Sequence, residues 1–181
     1  THNLQMLLFA ASMDGQGAIA MQAGKDLSVL NGNSLFQLLT LLRFGRFDEI
    51  LQVTERPEAD YPAGVWDFSQ GYALLKTGET AFAQAHLARL SSIAETTEAR
   101  FRFDPASLLL SVMKEILQGE IEWNEGNLRR AIRTFERAVE FEDALGYDEP
   151  EPLPFAARHW LGAALLEAER YRDAEQVYRE E

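Results

Sequence analysis

Three histidines, His2, His86 and His159, are the only imidazoles in the chain, and none has a second histidine three or four residues away on the same helical face. The His-Glu-x-x-His arrangement that joins zinc to a general base is therefore missing. There is no cysteine, which removes thiol nucleophiles, disulfides and cysteine-rich zinc sites. Neither a Gly-x-Ser-x-Gly elbow nor a Gly-x-x-x-x-Gly-Lys phosphate loop occurs; Asp14-Gly15-Gln16-Gly17 and Asn31-Gly32-Asn33 follow no strand and read as turns. Carboxylates are plentiful, as Glu120, Glu122 and Glu125 and again as Glu140, Glu142 and Asp143. Paired acids do proton-transfer work only beside a pocket and a reacting group, and with neither signalled these read as solvated faces. No catalytic residue, metal ligand or cofactor is assigned.

Chemistry of recognition is better represented. Tyr147-Asp148-Glu149-Pro150-Glu151-Pro152 places three carboxylates within four residues between restraining prolines. It reads either as a solvated connector or as a contact for a basic peptide or hard cation, though not as an EF-hand loop. Arg129, Arg130, Arg133 and Arg137 form a basic stripe mostly at i, i+4 steps, able to pair with neighbouring glutamates or to hold an acidic tail. Trp66, Phe68, Tyr72, Trp123 and Trp160 fall at helical spacings, where an aromatic is either core or, on a groove, an anchor for a bound segment.

The chain that must position these residues has 181 residues, 46% of them hydrophobic and 25% charged, with 17 basic against 29 acidic residues and a net charge of −12. That is globular composition, sufficient for one domain or one repeat array. The acidic balance argues against nucleic acid and anionic membranes and makes basic partners easier to attract. No apolar run approaches the roughly 18 to 20 residues of a membrane span. A soluble protein is expected, with the cytoplasm favoured and the compartment otherwise undetermined. The chain begins at Thr1 with no Met and no signal-peptide pattern, and its last predicted helix ends at Glu180-Glu181 without a cap, so a piece of a longer protein is expected.

Apolar residues recur with helical period nearly throughout, as in Leu4, Leu7, Leu8 and Ala11, or Leu35, Leu38, Leu39 and Leu42. Strands are not signalled. About ten helices are predicted, at 2–13, 16–29, 34–44, 47–53, 65–77, 79–95, 105–124, 127–144, 154–168 and 171–181. Glycines at 15, 45, 78 and 126 stop a helix and let the chain reverse, pairing the helices. Longer breaks separate the pairs: 31–34 with Ser34 as N-cap, 56–64, 101–105 with Asp104 before a helix-starting proline, and 146–154.

The pairs repeat one another. Five residues after each turn glycine stands Ala20, Ile50, Ala83 or Ala131, and Ala174 holds the same place in a fifth pair that lacks the glycine. Gly71, Gly119 and Gly162 each lie twelve residues before the corresponding alanine, and Phe135 and Tyr178 lie four after it, with Leu87 in the third pair. A glycine inside a helix costs roughly 0.5 to 1 kcal/mol, so three at one offset indicate close helix packing, expected here against the partner alanines. The stretch Gly119-Glu-Ile-Glu-Trp-Asn-Glu-Gly126-Asn-Leu-Arg-Arg-Ala131-Ile-Arg-Thr-Phe135-Glu-Arg-Ala138 resembles a tetratricopeptide repeat (TPR). Leu161-Gly162-Ala-Ala-Leu165, continued through Tyr171, Ala174 and Tyr178, resembles it too, as does Gly71 to Ala83. In the first two pairs Leu8 and Leu38 stand where the helix glycine belongs, and the repeat spacings of 30, 33, 48 and 43 residues depart from the family's period through insertions.

The resemblance implies an all-α fold: a right-handed array of about five stacked helical hairpins, a TPR-like α-solenoid, forming one domain over 1–181 with hairpins at about 2–29, 34–53, 65–95, 105–144 and 154–181. It implies a noncatalytic scaffold that binds a peptide or partner protein in a concave groove lined by the first helix of each pair. Polar residues on those otherwise apolar helices are the groove candidates: Asn3, Gln37, Asp67, Gln70, Glu115, Gln118, Glu122 and Arg158. The lysine-based carboxylate clamp of chaperone-binding members is absent, since only Lys25, Lys76 and Lys114 occur and not in that arrangement. Two further roles stay open. One is a regulatory or accessory segment of a larger enzyme; the other is a homodimer through the last helix, which ends without a polar capping helix.

Overall fold

The turn glycines do what their lack of a Cβ permits. Gly15, Gly45, Gly78 and Gly126 all take positive φ, between 63° and 94°, in the computed structural model, which describes residues 1–180. Each lies between two helices, and the described residues form ten: α1 (His2–Met13), α2 (Gly17–Asn31), α3 (Leu35–Arg43), α4 (Phe47–Leu51), α5 (Asp60–Lys76), α6 (Thr80–Thr96), α7 (Ala106–Asn124), α8 (Leu128–Asp143), α9 (Ala157–Glu167) and α10 (Tyr171–Arg179). The fold is all-α. In the α9–α10 turn the place of the glycine is taken by Glu169, which accepts the same left-handed conformation at φ 58°.

Several boundaries differ from expectation. Helix α5 begins at Asp60, five residues ahead of the predicted start, because Pro62 sits in the first turn, where a missing N–H leaves no bond unmade. Gly64 is then inside the helix, where a Cβ would come within 2.5 Å of Leu110 on α7. Helix α9 starts three residues later than expected, at Ala157. Ser34 does not cap α3 through its hydroxyl; the side chain of Asn33 accepts the Leu35 amide instead, at 3.1 Å. Asp104 does not cap α7 but accepts the Gly146 amide at 2.9 Å, and residues 104–105 pair with 100–101 in a two-residue antiparallel ladder. So short a ladder leaves no alternating pattern to read.

Packing follows chain order. Helix α7 meets α8 most extensively, and α5 meets α6; α6 also packs on α7, α2 on α3 and α8 on α9. Odd-numbered helices touch one another as well, α3 on α5 and α5 on α7. The largest core cluster gathers Leu35 and Leu39 of α3 with Phe68 and Tyr72 of α5, Leu90 of α6, and Leu109, Leu110, Met113, Ile116 and Leu117 of α7. A second joins Ala131, Ile132 and Phe135 of α8 to Leu161, Ala164 and Leu165 of α9 and Ala174 of α10.

The interhelix glycines are close-packed, and at two of them the nearest atoms belong to an aromatic ring rather than to the alanine. A Cβ on Gly119 would stand 2.5 Å from the ring of Phe135, and one on Gly162 would strike the ring of Tyr178. The space a glycine leaves is thus filled by the aromatic one turn past the alanine. Gly71, whose pair has Leu87 at that position, instead faces the Leu117 side chain and the Cβ of His86, with the Ala83 carbonyl at 3.5 Å.

Candidate functional site

At 3.6 residues per turn a helix presents residues three and four apart on one face, and α5 and α7 each carry two contrasting faces. On one face of α7 lie Glu115, Gln118 and Glu122; Glu120 lies about half a turn away. On α5, Phe68 and Tyr72 share one face, and Gln70 lies on the other.

The first face of each helix meets the even-numbered helices through buried carboxylates. Asp67, wholly buried, receives Arg56 Nε and Nη2 at 3.0 and 2.9 Å, Arg89 Nε at 2.8 Å, and lies 2.9 Å from His86 Nδ1. Burial pushes its carboxyl up, but the hydrogen bonds of His86, Arg89 and Arg56 more than reverse this and hold it below its usual range. Gln70 donates to the Ile50 and Val53 carbonyls, and the Trp66 indole donates to Val53 at 2.8 Å, so the same face of α5 also fastens the connector after α4. On α7, Glu115 accepts from Arg137 at 2.6 Å; Glu122 accepts from Thr134 at 2.7 Å, Gln118 at 2.8 Å and Arg130 at 2.7 Å.

These contacts share a register. Asp67 and Glu115 each stand four residues before an interhelix glycine, and Arg89 and Arg137 each stand six residues after the partner alanine. In the last pair the same two places hold Arg158 and Glu180, the charges exchanged, and both residues border one depression. Arg158 also grips Asp143 of α8 with two bonds, at 2.6 and 2.8 Å.

The opposite faces frame a cavity of about 720 Å³ to which α1, α3, α5, α7 and α9 all contribute. Its walls are aromatic: Phe44 after α3, Phe47 at the start of α4, Phe68 and Tyr72 of α5, Trp123 of α7, and Phe155 and Trp160 at α9. Edge-on and tilted ring contacts link Tyr72, Phe155 and Trp160 to one another and to Phe68. A polar relay runs through this wall: the Trp160 indole donates to the Tyr72 hydroxyl at 3.1 Å, the hydroxyl donates to Glu120 Oε1 at 3.0 Å, and Lys76 donates to Glu120 Oε2 at 2.7 Å. Burial and the neighbouring carboxylate raise the Tyr72 hydroxyl well above its ordinary range, so it stays a proton donor. Arg43 enters the wall from α3, donating to the Ser12 carbonyl at 3.2 Å and to that of Pro154.

Of the sequence candidates, Glu115, Gln118 and Glu122 come together, and Asp67 joins Gln70 one helix away; none of the five lines the aromatic cavity. Asn3 is exposed on α1, Gln37 is half-buried on α3 with its backbone N–H donating to the Ser28 hydroxyl oxygen, and Arg158 lies at α9. The acidic loop is tied into the fold: Asp148 is buried and paired with Arg102 at 2.6 Å, and Arg102 also holds the Glu149 and Pro150 carbonyls. Phe68, Tyr72, Trp123 and Trp160, which helical spacing leaves as either core or groove anchors, line the cavity, whereas Trp66 does not; Arg43, Glu120, Phe44, Phe47 and Phe155 line it too and are not among the groove candidates. Among the described residues no three of His, Asp or Glu gather as a metal site would need, and no helix is long and apolar enough to cross a membrane. Comparison with protein-family models, curated proteins and solved structures gave no match.

Proposed function

We propose that the chain is a noncatalytic interaction scaffold, a TPR-like array of about five stacked helical hairpins that receives a segment of another protein in the aromatic cavity framed by its odd-numbered helices. The observation that carries this is the cavity itself: about 720 Å³, walled by rings from four sites along the chain. Rigid aromatic walls bury large apolar area at little entropic cost, which is why Trp and Tyr dominate binding hot spots. The repeated register supports the array reading, since a glycine, an alanine, a ring and an acid–base pair recur at fixed offsets.

The test is selection of binding peptides from a random displayed library on the intact protein. Apolar and aromatic peptides should be enriched, and Ala163→Arg, which fills the cavity from a half-buried wall position without removing any packing, should weaken the selected peptides at least about tenfold. No enrichment, or binding indifferent to that change, would overturn the reading.

Self-association is favoured by a separate observation, the outward display of Val29 and Leu30 on α2, which are 82% and 63% exposed. Light scattering of the wild type against a Val29→Asp, Leu30→Asp double variant decides it: a dimer that the double change dissolves supports the second reading, and a wild-type monomer ends it.

A further inference from the structure

On the far side of α7 from the aromatic cavity, a polar depression of about 350 Å³ lies between α6 and α8, with Ser91 on one rim and Arg130, Arg133 and Arg137 on the other. Its floor is Lys114, Glu115, Gln118 and Glu122. The lining holds four cations and two carboxylates, a local surplus of positive charge on a chain of net charge −12.

Both carboxylates are spoken for. Glu115 and Glu122 are 5% and 3% exposed, and all four of their oxygens already face donors: Lys114 and Arg137 at Glu115, Gln118, Arg130 and Thr134 at Glu122. Their negative charge is spent inside the fold. The cations are not: Arg130 keeps its terminal N–H groups beyond the Nε contact with Glu122, Lys114 has two protons beyond its contact with Glu115, and Arg133 is exposed on the rim. Guanidinium forks pair best with planar oxyanions such as carboxylates.

From these features we infer that the depression is a docking site for an acidic, extended segment of another protein, with carboxylates presented about three residues apart. The spacing comes from α8: Arg130 to Arg137 spans about 10 Å of helix axis at about 1.5 Å per residue, which an extended chain covers in about three residues at about 3.3 Å each. A single small anion cannot reach both ends. The chain's net negative charge then disfavours acidic segments that do not meet this local positive surplus.

The experiment titrates the intact protein by calorimetry, at low and at physiological salt, with a Glu-Gly-Gly-Glu-Gly-Gly-Glu peptide, its all-glutamine counterpart, and inorganic phosphate. The acidic peptide should bind, more weakly at higher salt, and the glutamine peptide should not. Arg133→Glu should weaken the acidic peptide about tenfold, while Arg129→Glu, an equal charge change on the same helix but outside the depression, should cost less than about twofold. Ala163→Arg, which blocks the aromatic cavity, should leave it unchanged, so this site and the proposed function fail separately. Absence of acidic-peptide binding overturns the inference, as does equal loss in the Arg129 and Arg133 variants, or phosphate binding as tightly as the peptide. Arg133→Gln checks folding: it should melt with the wild type and weaken the peptide less than Arg133→Glu does.

Discussion

The α7–α8 pair and the α9–α10 pair are written in the same register, and the differences between them show which parts of that register are structural necessities. Both set a glycine against an aromatic ring, Gly119 on Phe135 and Gly162 on Tyr178. Phe135 is wholly buried, between α7 and the helices beyond it, whereas Tyr178 is 41% exposed on α10, which packs chiefly on α9. The first pair turns through a glycine at φ 82° and the second through Glu169 at φ 58°. What a buried pair cannot relax, an exposed one can.

The largest expected contrast comes from removing the rings. Phe135→Ala should cost about 3 to 5 kcal/mol in urea unfolding, as a full core truncation does, and Tyr178→Ala about 1 kcal/mol, because so much of that ring is already in water. Equal losses would erase the comparison.

The charged seam gives the next effect. Asp67→Asn leaves Arg56, His86 and Arg89 facing a neutral group in a buried site and should cost about 3 kcal/mol at neutral pH. Because the folded carboxyl titrates below its ordinary value near about 4, its contribution is complete above that pH and fades as pH falls through the lower folded value. Melting curves of wild type and variant should therefore converge in acid; a constant gap would mean that the carboxylate charge is not what holds the seam.

Adding a methyl group at the two glycines sharpens the contrast further. Gly119→Ala must displace a ring that has nowhere to go and should destabilise by about 1 to 3 kcal/mol. At Gly162 the ring can swing outward and the helix gains propensity, so Gly162→Ala should fall within about 0.5 kcal/mol of wild type. One effect runs the other way: Glu169→Gly removes a left-handed non-glycine residue and should stabilise by about 1 kcal/mol, read as a rise in the melting temperature.

Local features were legible in the chain and tertiary ones were not. Turn glycines and the fully buried Ala83 and Ala131 announce themselves because backbone conformation and close packing tolerate few residue types. Pro62 misled, since proline marks a break unless the first turn of a helix happens to absorb it. Polarity on the odd-numbered helices predicts groove exposure, yet Asp67 and Glu115 are buried because their partners arrive 22 residues later in sequence, as Arg89 and Arg137. Polarity alone does not distinguish an acid turned toward solvent from one turned toward a guanidinium on the next helix. The facing of the aromatic rings depends in the same way on which helices converge, and no single segment contains that information.

The relay from Trp160 through Tyr72 to Glu120 and Lys76 constrains how a guest could enter between the rings. Turning Trp160 aside would strand an indole N–H and loosen a tyrosine from its acceptor, so the indole resists the rearrangement that soft, adaptable surfaces use to welcome many shapes. Under the proposed function such a mould would select by contour: a visitor would have to match the standing relief of the rings or find no purchase.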